Sequence, residues 1–306
     1  MKYKIQSLGW IVRRAIDPIK LGLFYKNKIG LPELRRRDND KVKNIMLWGG
    51  MLNVLETMSG GKVQQKNKKI TDFEIIPVFR CNNISNTTKY LNDHGVERID
   101  SDYNYKGTLF FLDPEGFAFG LRQSIAKPTL IPDIKAKSIW PNKLLNLPGV
   151  SPLANSIQDI GWLILHVKNP QKIIKFYSQI VGLTVLDNNE ASVGSLYLGC
   201  TTTLEVRHGG VEKTIPKDRV ERPDVWILRG YGFADFQRKM KINGVRLINE
   251  LTLGAGKLNY YTDTEGHVFG FQERKAFEKD DILTHRIEDR VAKTEWDKIN
   301  KVSDRS

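Results

Sequence analysis

An imidazole, a carboxylate and a set of guanidinium groups recur in this 306-residue chain at spacings that place them on shared strand faces. In a strand, residues two and four apart point the same way. Trp162, Ile164 and His166 therefore share a face, as do Thr203 and Glu205. Val225 shares one with Arg229, and Gly270 with Gln272. A histidine beside a carboxylate is a general acid/base pair, because the carboxylate favours the charged imidazole. That makes His166 and Glu205 candidate catalytic groups. Arg14, Arg80, Arg122 and Arg229 offer planar forks that match carboxylate or phosphate oxygens. Trp10 and Trp162 offer indole faces that stack on planar rings and attract cations. The chain has no Ser-His-Asp order, no phosphate loop and no Cys/His cluster of zinc type.

The elements that carry these side chains are repeated. Gly9-Trp10-Ile11-Val12 corresponds to Gly161-Trp162-Leu163-Ile164, Pro18 to Pro170, Phe24-Tyr25 to Phe176-Tyr177, and Gly30-Leu31 to Gly182-Leu183. Leu47 to Glu56 aligns with Leu196 to Glu205. Asp113-Pro-Glu-Gly116 aligns with Asp263-Thr-Glu-Gly266, and Phe119-Gly120 with Phe269-Gly270. The near-constant offset marks a duplicated unit, over 1–123 and 158–274. Each unit reads as two βαβββ modules, an α+β plan in which short strands dominate. In the third module a strand at 160–168 meets Asn169-Pro170, a cap and first-turn pair that starts a helix. Gly182 ends that helix. Three strands follow, near 184–187, 194–199 and 202–207. The fourth module repeats this with a strand at 224–229, a helix near 233–243 and strands near 245–248, 257–262 and 267–272.

Residues 124–157 hold five prolines and read as an extended connector. Residues 275–306 carry Phe277, Ile282, Leu283, Ile287, Val291, Trp296 and Ile299 at near-helical spacing. They read as an amphipathic helix that either docks on its own body or forms a homodimer contact.

Composition narrows the function. The charge is +13, from 48 basic and 35 acidic residues. Its basic runs, Arg35 to Arg37, Lys41 to Lys43 and Lys62 to Lys69, fall in expected loops without aromatic interleaving, so they read as a solvated face and not as a nucleic-acid platform. No apolar run reaches the roughly 18 residues of a membrane span, and the first residues lack the features of a signal peptide. The two cysteines, Cys81 and Cys200, sit in strand-like segments and read as reduced, buried thiols of a cytoplasmic protein.

The order Gly-Trp-Leu-Ile-Leu-X-Val-X-Asn-Pro, a helix ending in Phe-Tyr, Gly-Leu, the strand Leu204-Glu205-Val206 and the closing Asp263-Thr-Glu-Gly-His-Val-Phe-Gly-Phe271 resembles the vicinal-oxygen-chelate superfamily of glyoxalases, bleomycin-resistance proteins and extradiol dioxygenases. The resemblance covers both halves. It implies cupped mixed sheets of two modules each, and a divalent metal held by histidine, glutamine and glutamate side chains, which binds vicinal oxygens of a substrate. At the family's ligand positions, however, this sequence has Trp10 and Trp162 on the first strands, Ile76 and Val225 on the second modules' first strands, and Gly120 and Gly270 at the closing glutamate. Only Glu56 and Glu205 match a family ligand. The expectation is therefore no cofactor, with a divalent iron or manganese, held by a set including His166, Glu205 and His208, as the alternative. Tyr260 matches a position where ring-cleaving members carry an active-site tyrosine.

If each half closes its own cup, one holds Trp10, Arg14, Glu56, Arg80 and Arg122. The other holds Trp162, His166, Thr203, Glu205, Arg229 and Gln272. Glycine in place of the closing glutamate would open room beside each indole. The expected function is binding of a small anionic or aromatic molecule, by sequestration or acid–base chemistry. The alternatives are an extradiol dioxygenase or glyoxalase-type lyase, and a non-catalytic interaction protein. Two structural readings stand beside these: the indoles simply fill the metal's space, and Arg14 pairs with Glu56.

Overall fold

The computed structural model describes residues 3–49, 53–62, 69–101, 105–123, 157–190, 193–199, 202–210, 214–253 and 256–273. The expected connector and amphipathic tail, Cys200 and part of the Lys62 to Lys69 run lie outside the described residues.

Module 1 comprises β1 (Lys4–Ala15), α1 (Pro18–Asn27), β2 (Glu33–Asp38), β3 (Lys43–Trp48) and β4 (Val54–Ser59). Module 2 comprises β5 (Ile75–Cys81), α2 (Ile84–Asp93), β6 (Arg98–Ile99), β7 (Leu109–Leu112) and β8 (Ala118–Gln123). Module 3 comprises β9 (Ile157–Val167), α3 (Pro170–Lys175, continued by a π turn, Phe176–Val181), β10 (Thr184–Glu190), β11 (Val193–Gly199) and β12 (Thr202–His208). Module 4 comprises β13 (Asp224–Tyr231), α4 (Phe233–Ile242), β14 (Leu247–Leu253), β15 (Gly256–Thr262) and β16 (Val268–Glu273). The expected strands and helices are thus present, with ends shifted by a few residues.

The helix starts follow from the repeated cap sequence. The Asp17 carboxylate accepts from the Lys20 N–H at 2.9 Å, and the Asn169 amide oxygen from the Lys172 N–H at 3.0 Å, each just before a proline. Both remove a backbone donor that the first turn would leave unmet. Gly182, at φ 90°, ends the second of these helices in the left-handed conformation that a side chain disfavours.

Two eight-stranded mixed sheets result, ordered β14-β15-β16-β13-β1-β4-β3-β2 and β10-β11-β12-β9-β5-β8-β7-β6. The first joins modules 1 and 4 across an antiparallel seam, with Trp10 opposite Ile227 and Val12 opposite Val225. The second joins modules 2 and 3, with Val78 opposite Trp162 and Ile76 opposite Ile164. This corrects the expected pairing: neither half closes a sheet on its own, and each cup draws on both halves. Strand periodicity fixes which residues share a face but not which strand lies across a seam, and either pairing satisfies it.

Alternation then sorts the apolar residues into three clusters. The outward face of each sheet and the helices form one continuous core that includes Leu8, Ile11, Phe79, Phe119, Leu163, Trp226 and Phe269. Each concave face holds a smaller cluster. Trp10, Val12, Met46, Val225, Ile227, Leu258 and Tyr260 pack in the cup of modules 1 and 4. Ile70, Phe73, Ile76, Val78, Tyr105, Phe110 and Ile164 pack in the cup of modules 2 and 3.

Buried polar groups tie the two sheets together. The fully buried Arg13 forks onto Asp224 (2.9 and 3.1 Å) and reaches Asp113 (3.1 Å), the Tyr25 hydroxyl and the Ala118 carbonyl. On the other side of the pseudosymmetry, Asp263 accepts from Tyr177 Oη and sits 2.8 Å from His267 Nδ1, while His267 Nε2 lies 3.1 Å from the His166 carbonyl. The Glu115 carboxylate accepts from the Ile16 and Asp17 N–H groups, and Glu265 from those of Lys168 and Asn169. The repeated Asp-X-Glu-Gly turn thus holds the start of a helix in the opposite sheet. Among the described residues, no helix is long and apolar enough to cross a membrane.

Candidate functional site

The two cups sort the expected site residues differently from the sequence grouping. The cup of modules 1 and 4 gathers Trp10, Arg14 and Glu56 with Arg229, Tyr260 and Gln272. The cup of modules 2 and 3 gathers Arg80 and Arg122 with Trp162, His166, Thr203 and Glu205.

In the cup of modules 2 and 3, Arg122, Glu205 and Arg207 form one network. Arg122 forks onto Glu205 at 2.7 and 3.2 Å, and Arg207 adds a contact at 3.1 Å. Arg122 also donates to Thr108 Oγ1 at 2.7 Å and to the Tyr105 carbonyl at 3.2 Å. Burial alone would push the Glu205 carboxyl up, but the Arg122 hydrogen bond and charge, with that of Arg207, hold it below the usual range. It is a fixed anion between two cations and not a base in waiting. Trp162 is flanked by the guanidiniums of Arg122, 4.4 Å from the ring, and Arg80, 5.1 Å away. Arg80 is anchored to Asp159 at 2.8 Å.

His166 is fully buried. Its Nδ1 lies 2.6 Å from the Phe73 carbonyl and its Nε2 2.9 Å from Tyr105 Oη. The carbonyl can only accept, so Nδ1 donates, and Nε2 of the neutral ring accepts a hydrogen bond from the Tyr105 hydroxyl. Both nitrogens are thus engaged away from Glu205, which corrects the expected acid/base pairing of the two. Tyr105 and Arg207 were missed from the sequence. Arg207 had a signal, since it lies two residues beyond Glu205 and shares its face; Tyr105 stands in a connection, where alternation gives no direction.

The cup of modules 1 and 4 is furnished with the same frame but left less complete. Trp10 is buried beneath Arg229, whose guanidinium lies 4.5 Å from the ring. Tyr260, level with Trp10, has the Arg219 guanidinium 5.1 Å from its ring. Burial raises the Tyr260 phenol to about 12 against the opposing charge of Arg219, so it is a neutral donor at ordinary pH. Glu56 is half-buried and accepts from the Asn44 amide at 2.5 Å.

Arg14, two and four residues beyond Val12 and Trp10 on the same face, is only 4% exposed. Among the described residues it makes one hydrogen bond, a long one of 3.4 Å from Nη1 to the Ser59 carbonyl, and its Nε is buried without a partner. It does not pair with Glu56, as the sequence had allowed. Burial, followed by the nearby charge of Arg219, disfavours its cationic form. Arg219 Nε and Gln272 Oε1 are likewise buried without partners. Arg219 opens a short 3-10 turn and was missed for the same reason as Tyr105.

The metal that this kind of cup implies does not fit the residues present. Trp10, Trp162, Ile76, Val225, Gly120 and Gly270 have no side-chain donor suited to iron or manganese. Nor do the glycines open room, as expected from the sequence. A Cβ at Gly120 would lie 2.8 Å from Thr108 Cγ2 and 2.9 Å from Val78 Cγ2, and one at Gly270 would lie 3.0 Å from Ile227 Cγ1. Apolar side chains fill the place of the closing carboxylate. His208 is exposed at the end of β12, and among the described residues no three His, Cys, Asp or Glu side chains converge on one point. An open groove lined by Ile84, Thr88, Asn92 and Leu109 shares no residue with either cup.

No family model matches the sequence, and no curated protein matches it. Solved structures do match the fold. A candidate dioxygenase from Bacillus subtilis is 12% identical with a TM-score of 0.67, over 95% of this chain and 90% of that one. Glyoxalase I from Zea mays is 17% identical with a TM-score of 0.61, over 94% and 97%. Two cupped sheets, four βαβββ modules and these full-length similarities together give this chain the tandem vicinal-oxygen-chelate fold of glyoxalases and related dioxygenases.

Proposed function

We propose that this chain is a cytoplasmic protein of the vicinal-oxygen-chelate superfamily that binds a small aromatic or anionic organic molecule, without the family's metal, in the cup of modules 1 and 4. The observation that carries this reading is Arg14: a guanidinium almost wholly removed from water, on the same face as Trp10, with one weak hydrogen bond and an unpartnered Nε. Leaving a buried donor unmet costs about 1–3 kcal/mol, and a charged one more, so a ligand that supplies acceptors is rewarded there. In the other cup, by contrast, Glu205, Arg122 and His166 engage protein partners. Sequestration fits this arrangement better than acid–base chemistry, since the histidine and carboxylate expected to move protons are tied elsewhere. The similar structures are named for enzymes, but at 12% and 17% identity they share the fold alone.

The test is a thermal-shift screen of the full chain against aryl carboxylates, neutral arenes and divalent metals, repeated for Trp10→Ala and Trp162→Ala. Binding of an aryl compound should raise the melting temperature in the presence of chelator and be lost in Trp10→Ala but kept in Trp162→Ala. Stoichiometric iron or manganese in the purified protein, together with catechol cleavage, would overturn the reading.

A further inference from the structure

The rim of the module 1–module 4 cup is built around two guanidiniums that face the same space. Arg14 ends the inward row Trp10, Val12, Arg14 of β1. Arg219 comes from the opposite side, on the turn Arg219–Glu221 that precedes β13. That turn is held by one side chain of edge strand β14. Asn249 Oδ1 accepts the Arg219 N–H at 2.9 Å, and Asn249 Nδ2 donates to Asp218 Oδ2 at 3.0 Å. Asp218 Oδ1 in turn accepts from the Val220 N–H at 2.8 Å. Asn249 also stands opposite Tyr260 in the β14–β15 ladder, so the arrangement sets Arg219 over the Tyr260 ring.

The two guanidiniums lie near enough to oppose each other's charge and both act on the Tyr260 phenol, and each has a buried Nε with no partner among the described residues. An anion between them would relieve the repulsion and use the unspent donors at once. Glu56 and Asp218 flank the pair and limit how much negative charge the place accepts. A singly charged carboxylate suits this balance, and a phosphate dianion does not. Partly buried Leu34, Met58, Ile248 and Leu251 surround Trp10 and Tyr260 and supply an apolar, aromatic bed for the rest of the molecule.

We infer that Arg14 and Arg219 clamp the carboxylate of a planar organic acid at the rim of this cup, and that Asn249 is the residue that positions the clamp. The inference rests on the cup being the binding site.

Calorimetric titration of the full chain with benzoate, its neutral isostere benzamide, and phenyl phosphate separates the claims. Benzoate should bind at least tenfold tighter than either of the others. Arg219→Gln and Asn249→Ala, both on a surface turn and edge, should each weaken benzoate tenfold or more while leaving benzamide unchanged, a split that general loss of structure would not give. Arg14→Lys, which keeps the charge but loses the fork, should weaken benzoate in the same selective way. Equal binding of benzoate and benzamide, both abolished by Trp10→Ala, would overturn the clamp and leave the cup reading standing. Tighter binding of phenyl phosphate would overturn the carboxylate assignment. Absence of binding by all three probes would overturn both readings.

Discussion

Trp10 and Trp162 occupy the same place in two copies of one sequence unit, yet their surroundings have parted. Trp162 has the guanidiniums of Arg122 and Arg80 over its ring, in a cup where Glu205 bonds Arg122 and Arg207, and Tyr105 bonds His166. Trp10 has Arg229 on one face, and around it Arg14, Arg219 and Gln272 keep buried polar atoms without partners. The frame is common, so the difference lies in a few side chains. Where His166 bridges two protein groups, its counterpart Arg14 holds almost none. Where Glu205 is forked by Arg122, Glu56 receives an uncharged amide from Asn44, and Gln272 stands at the place of Arg122. One cup ties its central polar groups to protein partners, and in the function proposed above the other keeps them for a ligand.

The sharpest way to break this comparison is to remove the same kind of group from each cup. Arg122→Ala leaves Glu205 buried with less compensation and should cost about 3–5 kcal/mol, the usual penalty for breaking a buried ion pair from one side. Arg219→Ala in the other cup should change stability by less than about 1 kcal/mol, because it removes no hydrogen bond of its side chain. Urea unfolding of both variants measures the contrast, and equal costs would erase it.

Overpacking comes next. Gly120→Ala forces a methyl against Thr108 and Val78 at less than 3.0 Å, whereas Gly270→Ala meets Ile227 at 3.0 Å and Leu258 at 3.2 Å. The first should cost about 1–3 kcal/mol and the second less, by the same unfolding measurement.

Acid stability sharpens the comparison further. The Glu205 carboxyl is held below its ordinary value, so its contribution is present above the unfolded pKa of about 4.3 and is lost as pH falls through the folded one. Acid unfolding of the wild type should therefore steepen below about pH 4.3, and Glu205→Gln should flatten that slope while lowering stability at neutral pH. An unchanged slope would mean that Glu205 is not the fixed anion described above.

A further contrast within the Trp162 cup is Tyr105→Phe. It removes the phenol that donates to His166 Nε2, at about 1–3 kcal/mol for the acceptor left unmet. Thermal unfolding would register it.

Much of this molecule was legible in its residues. The cap pair Asn169-Pro170 with its matching Pro18, the terminating Gly182 and the duplicated Asp-X-Glu-Gly turns mark the modules in the sequence. The shared faces of Trp10 with Arg14 and of Trp162 with His166 follow from period-two alternation, while the replaced ligand positions are what the family resemblance implies. What was not legible is who meets whom. A seam between β1 and β13 satisfies the same alternation as one between β1 and β5, so Arg80 and Arg122 were placed beside Trp10 when they stand beside Trp162. Tyr105, Arg219 and Asn249 act from a connection, a 3-10 turn and an edge strand, where the pattern of apolar residues does not say which way a side chain turns. The room expected at Gly120 and Gly270 was absent because Val78, Thr108, Ile227 and Leu258 close over them, a matter of tertiary packing alone.

The account is tested most directly by an experimental structure of the full chain with a saturating aryl carboxylate and chelator. The ring should lie beside Trp10 and Tyr260, with the carboxylate within hydrogen-bond distance of Arg14 and Arg219. A ligand seated instead beside Trp162, or a metal ion coordinated in either cup when chelator is omitted, would contradict it.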